Sequence, residues 1–154
     1  MNTECPFCKE SIKKAIIAET EDFIAIYNIA PILPGHCMVI PRCHYQSIME
    51  LPAEKYSAMM DFARKLTQQL IKIYGVSGFD WSLQEGIEAG QSVPHVHLHI
   101  IPRKTNDLSS PGAWYAKLQQ PIAEAIDSPG RVKFTPVQIE KIASELRRKI
   151  SLIK

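Results

Sequence analysis

A short run of alternating histidines constrains the fold of this chain more than any other feature. His95, His97 and His99 are separated by single apolar residues within the stretch 91–103. Successive side chains of a β-strand point to opposite faces, so a period of two predicts a strand with the three imidazoles on one face. Because burying an unpaired polar ring costs free energy, this face is predicted to meet a metal, a phosphate or both.

The other predicted elements place this strand in an α+β domain. Apolar periodicity predicts a long helix over 52–74 and a C-terminal helix that opens with the capping box Thr135–Gln138. A short helix is expected at 114–118, between loops rich in proline and glycine. Short runs rich in β-branched and aromatic residues predict four further strands, at 14–20, 22–29, 36–40 and 79–84.

Length and composition are those of one ordinary globular domain. With 154 residues, of which 45% are hydrophobic and 22% charged, the chain can bury a core and is not predicted to be disordered. A net charge of +2 is too small to indicate nucleic-acid binding, so affinity for an anionic substrate is expected from a local site. No apolar run approaches a membrane span, and no signal-peptide core follows Met1, which predicts a cytoplasmic protein without a membrane partner.

Cys5 and Cys8 form a C-x₂-C pair ahead of every predicted element. Such a pair is half of a zinc site, a redox pair or a coincidence. A thioredoxin-like redox pair should follow a strand, whereas only four residues precede Cys5, so zinc is favoured provided that two more ligands exist. The histidines outside the alternating run are His36 and His44.

The stretch from His95 to Ile101 matches the signature His-φ-His-φ-His-φ-φ, where φ is apolar, and on it the chain resembles the histidine triad family of nucleotide hydrolases and transferases. Residues 84–92 and 102–104 look most similar to the fragile histidine triad branch, the dinucleoside triphosphate hydrolases. The likeness covers residues 4–106 of a single domain, 1–154, which ends in a loop and helix at 107–154. It implies an antiparallel sheet with one long helix and a C-terminal helix, and a homodimer whose sheet continues across the subunits.

Family members that carry an N-terminal C-x₂-C pair resemble this chain there too, and this likeness implies a zinc site. Carried over residue by residue, its ligands are Cys5, Cys8, His44 and His95. A closed Cys₂His₂ set is structural, because it leaves no open position for a substrate. Such a site would hold the N-terminus against the active strand and would withdraw the first triad histidine from catalysis.

The resemblance also implies roles for the other two triad histidines. His97 is expected to attack the α-phosphorus of a nucleotide, since a neutral imidazole is a good nucleophile. His99 and His36 are expected to orient and polarise the groups around it. The remaining predicted contacts are Gln91 and Ser92 with the phosphate oxygens or leaving group, Gln84 with the α-phosphate, Asn28 with the ribose, and Phe23, Ile32 and Leu33 with the base.

We therefore expect a hydrolase that cleaves dinucleoside polyphosphates, such as diadenosine triphosphate or tetraphosphate, and releases AMP. A nucleoside phosphoramidase or nucleotidyl transferase of the same family is the alternative enzyme, and a nucleotide-binding module without turnover is the alternative from another class. A catalytic metal on all three triad histidines would leave Cys5, Cys8 and His44 without a purpose. Structural zinc is the expected cofactor, and magnesium is expected only with the polyphosphate, because no carboxylate cluster demands a site for it.

Overall fold

A five-stranded antiparallel sheet organises the chain in the computed structural model, which describes residues 5–120, 122–123 (backbone only) and 130–150. The strand order is β1-β2-β3-β5-β4, and every neighbouring pair is antiparallel. The α+β prediction is confirmed, and four of the five strands lie within two residues of their predicted limits. In chain order the strands are β1 (Ile16–Glu19), β2 (Phe23–Tyr27), β3 (Cys37–Pro41), β4 (Gly78–Leu83) and β5 (Leu98–Arg103).

The triad strand is the exception, because it is shorter than predicted. β5 begins at Leu98, so His95 and His97 precede the sheet. The backbone N–H of Val96 donates to the carbonyl of Tyr45, which lies in a loop. Alternation reports the direction of side chains in any extended segment, whereas a strand also needs a hydrogen-bonded neighbour. The apolar residues between the histidines do lie in the core, as predicted.

Two helices cover the sheet. The long helix α1 (Ala53–Tyr74) packs on β3, β4 and β5, and it ends where Gly75 adopts a left-handed conformation with φ of 60°. The C-terminal helix, which is the third in the chain, contacts β1 and β2; its N-cap Thr135 and Gln138 form the predicted capping box. Burial of one apolar face of each helix against the sheet supplies the core. The residues of α1 in this core are Met59, Phe62, Ala63, Leu66, Thr67 and Leu70.

After β5 the described chain forms two helices and a pair of very short strands. A short helix, α2 (Ala113–Gln119), is followed by two-residue strands, β6 (Ile122–Ala123) and β7 (Arg131–Val132), which pair in parallel. The C-terminal helix is α3 (Pro136–Lys149). Just before it, the N–H of Phe134 donates to the carbonyl of Ile29 at 2.7 Å, so the segment at β7 runs beside the loop that follows β2. In the described part of the chain, no helix has both the length and the apolar composition of a bilayer span.

Candidate active site and metal site

Two cysteines from the N-terminal segment meet two histidines from distant loops. The ligand atoms of Cys5, Cys8, His44 and His95 all lie within 4.8 Å of one another. Cys5 Sγ is 3.4 Å from His95 Nδ1, and Cys8 Sγ is 3.4 Å from His44 Nδ1. The four residues predicted to be ligands are therefore brought together, and they could bind a metal ion.

The orientation of His95 is set by the backbone. Its Nε2 lies 2.9 Å from the carbonyl oxygen of Pro41, which can only accept, so Nε2 carries the proton and donates. The lone pair is then on Nδ1, the atom that faces Cys5 and Cys8. Zinc bonds of about 2.3 Å to sulfur and about 2.0–2.1 Å to nitrogen, at a tetrahedral angle, place S and N about 3.5 Å apart. The observed Sγ···Nδ1 distances of 3.4–3.7 Å match this geometry.

A second backbone contact fixes the tautomers of His36 and His99. The N–H of Ile32 donates to His36 Nδ1 at 3.1 Å, so the proton of neutral His36 is on Nε2. His36 Nε2 lies 2.9 Å from His99 Nδ1 and donates to it, which leaves the proton of His99 on its own Nε2. His99 therefore presents an N–H donor, and this donor has no hydrogen-bond partner among residues 5–120 and 130–150.

His97 has the opposite tautomer. Its Nδ1 lies 2.7 Å from the carbonyl oxygen of His95 and donates to it, so the lone pair is on Nε2. This Nε2 makes no hydrogen bond to the described residues. The rings of His97 and His99 are in edge contact, with centroids 5.0 Å apart. One ring thus offers a nucleophilic nitrogen beside the N–H donor of the other.

Burial keeps these histidines neutral. It lowers the pKa of His36 to about 3, and the charge of Arg131 acts in the same direction. Burial is also the main reason why the pKa of His99 lies well below its usual value, with His36 as the next cause. The pKa of His97 is lowered by burial too, although the hydrogen bond to the His95 carbonyl opposes the shift. Neutral rings keep the tautomers described above at neutral pH.

The low pKa of His36 makes folding sensitive to acid. In the unfolded chain His36 takes up a proton near pH 6.5, whereas in the folded protein it does so only near pH 3. The contribution of neutral His36 to the free energy of unfolding is therefore fully present above pH 6.5 and is lost progressively as the pH falls below that value. We expect the free energy of unfolding to fall with acid more steeply in the parent than in His36→Gln, by up to about 1.4 kcal/mol per pH unit. Urea unfolding at pH 7, 6 and 5 measures both slopes. Both proteins keep the four predicted metal ligands, so acid release of metal affects them equally. Equal slopes of unfolding free energy against pH in the two proteins would contradict the expectation.

A cavity of about 330 Å³ opens in front of His97 and His99. Asn28 and Ser92, both predicted to bind substrate, line it. Gln84 lines it as well, and its Nε2 is buried without a hydrogen-bond partner in the described residues. A buried N–H₂ group that lacks an acceptor is a feature that a phosphate oxygen would satisfy. No aspartate or glutamate is among the described residues that line the cavity.

Two of the predicted site residues, Gln91 and His36, do not line the cavity. The side-chain amide of Gln91 accepts from the N–H of Gly86 and donates to the carbonyl of Gln46, at 2.8 and 3.1 Å. It thus ties the loop before the triad in place and does not line the cavity. His36 is completely buried behind His99 and does not line the cavity; it contacts two residues that do, His99 at 2.9 Å and Asn28 at 3.4 Å. These positions make Gln91 and His36 positioning residues in this structure. Gln91 was predicted to contact the phosphate or leaving group, whereas His36 was predicted to orient and polarise the groups around His97.

The three apolar residues predicted to form the base slot do not line this cavity. Phe23 is buried in the core at the far end of β2, opposite Pro41, because in the β2–β3 register the other end, at Tyr27, is the one near the cavity. Ile32 and Leu33 do not line the cavity either. The apolar wall is formed by Ile29, in the loop after β2, and by Met38, which pairs with His99 across β3 and β5.

Sequence reasoning also missed walls from both ends of the chain. Phe7, between the two cysteines, lies in edge contact with His97, with ring centroids 5.3 Å apart. Residues 118–120 and Arg131 close the cavity from the C-terminal side. The loop before the triad contacts these residues at Gly90, whose φ is 88° and where an added Cβ would clash with the side-chain amide of Gln119. The position of Phe7 inside the C-x₂-C pair was a usable signal, whereas nothing local marked the C-terminal residues.

Comparisons with known proteins agree with this geometry. The family model described as "HIT domain" matches residues 9–106. The asymmetrical bis(5'-nucleosyl)-tetraphosphatase of Schizosaccharomyces pombe is 35% identical over 114 residues, which are 74% of this chain but only 63% of that protein. The bis(5'-adenosyl)-triphosphatase of Dictyostelium discoideum is 30% identical over 132 residues, 86% of this chain and 83% of that protein. A Zn-bound histidine triad family protein from Mycobacterium smegmatis has the same fold, with a TM-score of 0.70 at 24% identity over 96% of this chain and 94% of that one.

Proposed function

We propose, from the premise that this chain belongs to the histidine triad (HIT) domain family, that it hydrolyses dinucleoside polyphosphates through a nucleotidyl intermediate on His97. The observation that carries this proposal is the pair of opposite tautomers, with a free Nε2 on His97 beside an N–H donor on His99. The names of the S. pombe and D. discoideum relatives support the substrate class.

The proposed reaction has two displacements at one phosphorus. Attack by His97 Nε2 forms a P–N bond and breaks the bond from the α-phosphorus to the bridging oxygen, so the rest of the substrate leaves, for example as ADP. Water then attacks the same phosphorus, breaks the P–N bond and releases AMP. During the first step the imidazole becomes positively charged, and its Nδ1–H donates to the carbonyl of His95, 2.7 Å away. This acceptor stabilises the ring as charge develops on it.

The neighbouring side chains act on the phosphate oxygens. The His99 N–H and the unpartnered Nε2 of Gln84 are donors in the same cavity as His97. Ser92 adds a hydroxyl there. Neutral donors stabilise negative charge that grows in the transition state without holding the ground state as strongly as a lysine would. His36 supports this set indirectly, because its hydrogen bond keeps the proton of His99 on the atom that faces the substrate.

We propose that the metal bound by Cys5, Cys8, His44 and His95 is zinc and that it is structural. The donor set and its 3.4–3.7 Å sulfur–nitrogen distances support this, and four protein ligands would leave no open position on a tetrahedral zinc ion. Zinc would hold Phe7 against His97 and would fix His95, whose carbonyl accepts from the nucleophile. The metal therefore takes no part in the chemical step.

We further propose a homodimer and a cytoplasmic location. β4 is the outer strand of the sheet, it has no neighbour on its free side among the described residues, and its Phe79 is 46% exposed. Both features suit a second copy of the chain. A reducing compartment suits Cys5 and Cys8, because metal binding requires thiolates and not a disulfide.

Relative turnover of two substrates tests the proposed reaction. We expect diadenosine triphosphate to be cleaved to AMP and ADP with a kcat/KM at least about tenfold above that of adenosine phosphoramidate, a difference of about 1.4 kcal/mol in transition-state stabilisation. Chromatography of the products measures both. The reverse preference would identify the phosphoramidase alternative, and nucleotide binding without either product would identify a binding module.

A further inference from the structure

Arg131, which lies outside the matched family segment, reaches into the cavity from β7. Its Nη1 donates to the carbonyl of Ala30 at 2.6 Å, and its Nη2 donates to the carbonyl of Leu118 at 3.3 Å. The two contacts hold the guanidinium between the loop after β2 and the end of α2. Arg131 is therefore placed by the backbone of two separate segments, and its plane is fixed before any ligand binds.

The guanidinium group of Arg131 has N–H donors that its two backbone contacts do not use. An arginine side chain has five N–H groups, and the two backbone contacts use two of them. Its Nε is buried and has no hydrogen-bond partner in the described part of the chain, and no ion pair there involves Arg131. Burial lowers the pKa of Arg131, which reflects the cost of leaving this charge without a partner. The ligand that fits must offer acceptors.

Arg131 lies at the end of the cavity where the nucleoside is expected to bind. It bonds to Ala30, whose own N–H donates to Asn28 Oδ1 at 2.9 Å, so it lies beside the residue expected to hold the ribose. Ile29 supplies an apolar wall at the same end.

We propose that Arg131 binds the edge of the nucleobase and makes the site prefer guanine to adenine. Guanine offers two adjacent acceptors, O6 and N7, which match two N–H groups of a guanidinium fork, whereas adenine places an amino donor where O6 would be. This inference rests on the proposed function insofar as the ligand is a nucleotide. It adds a specificity residue from the C-terminal segment to a cavity whose histidines, His97 and His99, lie within the matched region.

Binding and turnover together test this role. The affinities of the parent protein, Arg131→Gln and Arg131→Lys for GMP and AMP are measured by calorimetry, and kcat/KM is measured with diguanosine and diadenosine triphosphate. We expect the parent to prefer the guanine ligands by about 5- to 100-fold, and the preference to fall to about twofold or less in both variants. Arg131→Lys retains the positive charge but lacks the planar fork, so it separates base recognition from attraction of phosphate.

Each possible result either supports or overturns the proposed role of Arg131. Equal affinity of the parent for GMP and AMP overturns the inference, whether or not the variants fold. A preference that survives in Arg131→Lys, or equal losses for both ligands in Arg131→Gln, overturns it in favour of a phosphate or purely structural contact. Preferential GMP binding that both variants lose, in a protein that cleaves neither substrate, supports the inference and refutes the proposed hydrolysis.

Discussion

Replacement of His97 by alanine is expected to lower kcat for diadenosine triphosphate by at least about 10⁴-fold, because it removes the nucleophile itself. The ring is the only group in the described part of the cavity that combines an accessible lone pair with a backbone acceptor opposite it. AMP release, followed by chromatography over hours, measures the residual rate. A variant that keeps a tenth of the parent activity would contradict the assignment.

The matched control is His36→Gln. His36 is buried behind His99 and does not line the cavity, so its loss misorients a donor without removing the nucleophile. We expect kcat to fall by about 10- to 100-fold, the size typical of a positioning group. His97→Ala should also keep the zinc content of the parent, because His97 is not among the four ligand residues.

Loss of zinc is the second large effect that we expect. In Cys5→Ser the metal should bind weakly or not at all, and the midpoint of thermal unfolding should fall by at least about 10 °C, because binding energy at a structural zinc site is also folding energy. Removal of the metal from the parent by a chelator should produce the same shift. Metal analysis and calorimetry on the same samples measure both quantities.

Cys43→Ser is the control for this experiment. Cys43 is exposed and adjoins the ligand His44, but it is not in the four-residue cluster. We expect this variant to keep about one zinc per chain and an unfolding midpoint within about 2 °C of the parent. An equal loss of metal in Cys43→Ser, or a full complement of zinc in Cys5→Ser, would refute the ligand set.

The features of the site that could be predicted are those that a few consecutive residues encode. The alternation around His97 and the pairing of Cys5 with Cys8 are visible in a few consecutive residues. The resemblance to a known family then supplied His44 and His95 as partners, and the structure brings all four donors together. The helix limits were similarly predictable, because Gly75 and the capping box at Thr135 are local signals.

What escaped prediction depends on contacts between distant segments. The start of β5 at Leu98 is set by its register with β3 and β4, which no single stretch encodes. The tautomer of His99 follows from the N–H of Ile32 acting through His36. Arg131 reaches the cavity because residues 131–134 lie beside the loop that follows β2, and no local pattern in the sequence predicts that contact.

The covalent intermediate is the central claim, and intact mass after rapid quenching without acid tests it most directly. Parent protein mixed with diadenosine triphosphate should transiently gain the mass of one adenylyl group, which is AMP less one water, and His97→Ala should gain none. Quenching must avoid acid because a phosphoryl–imidazole bond is labile there. Hydrolysis at the parent rate without any adduct, or an adduct that persists in His97→Ala, would contradict the account.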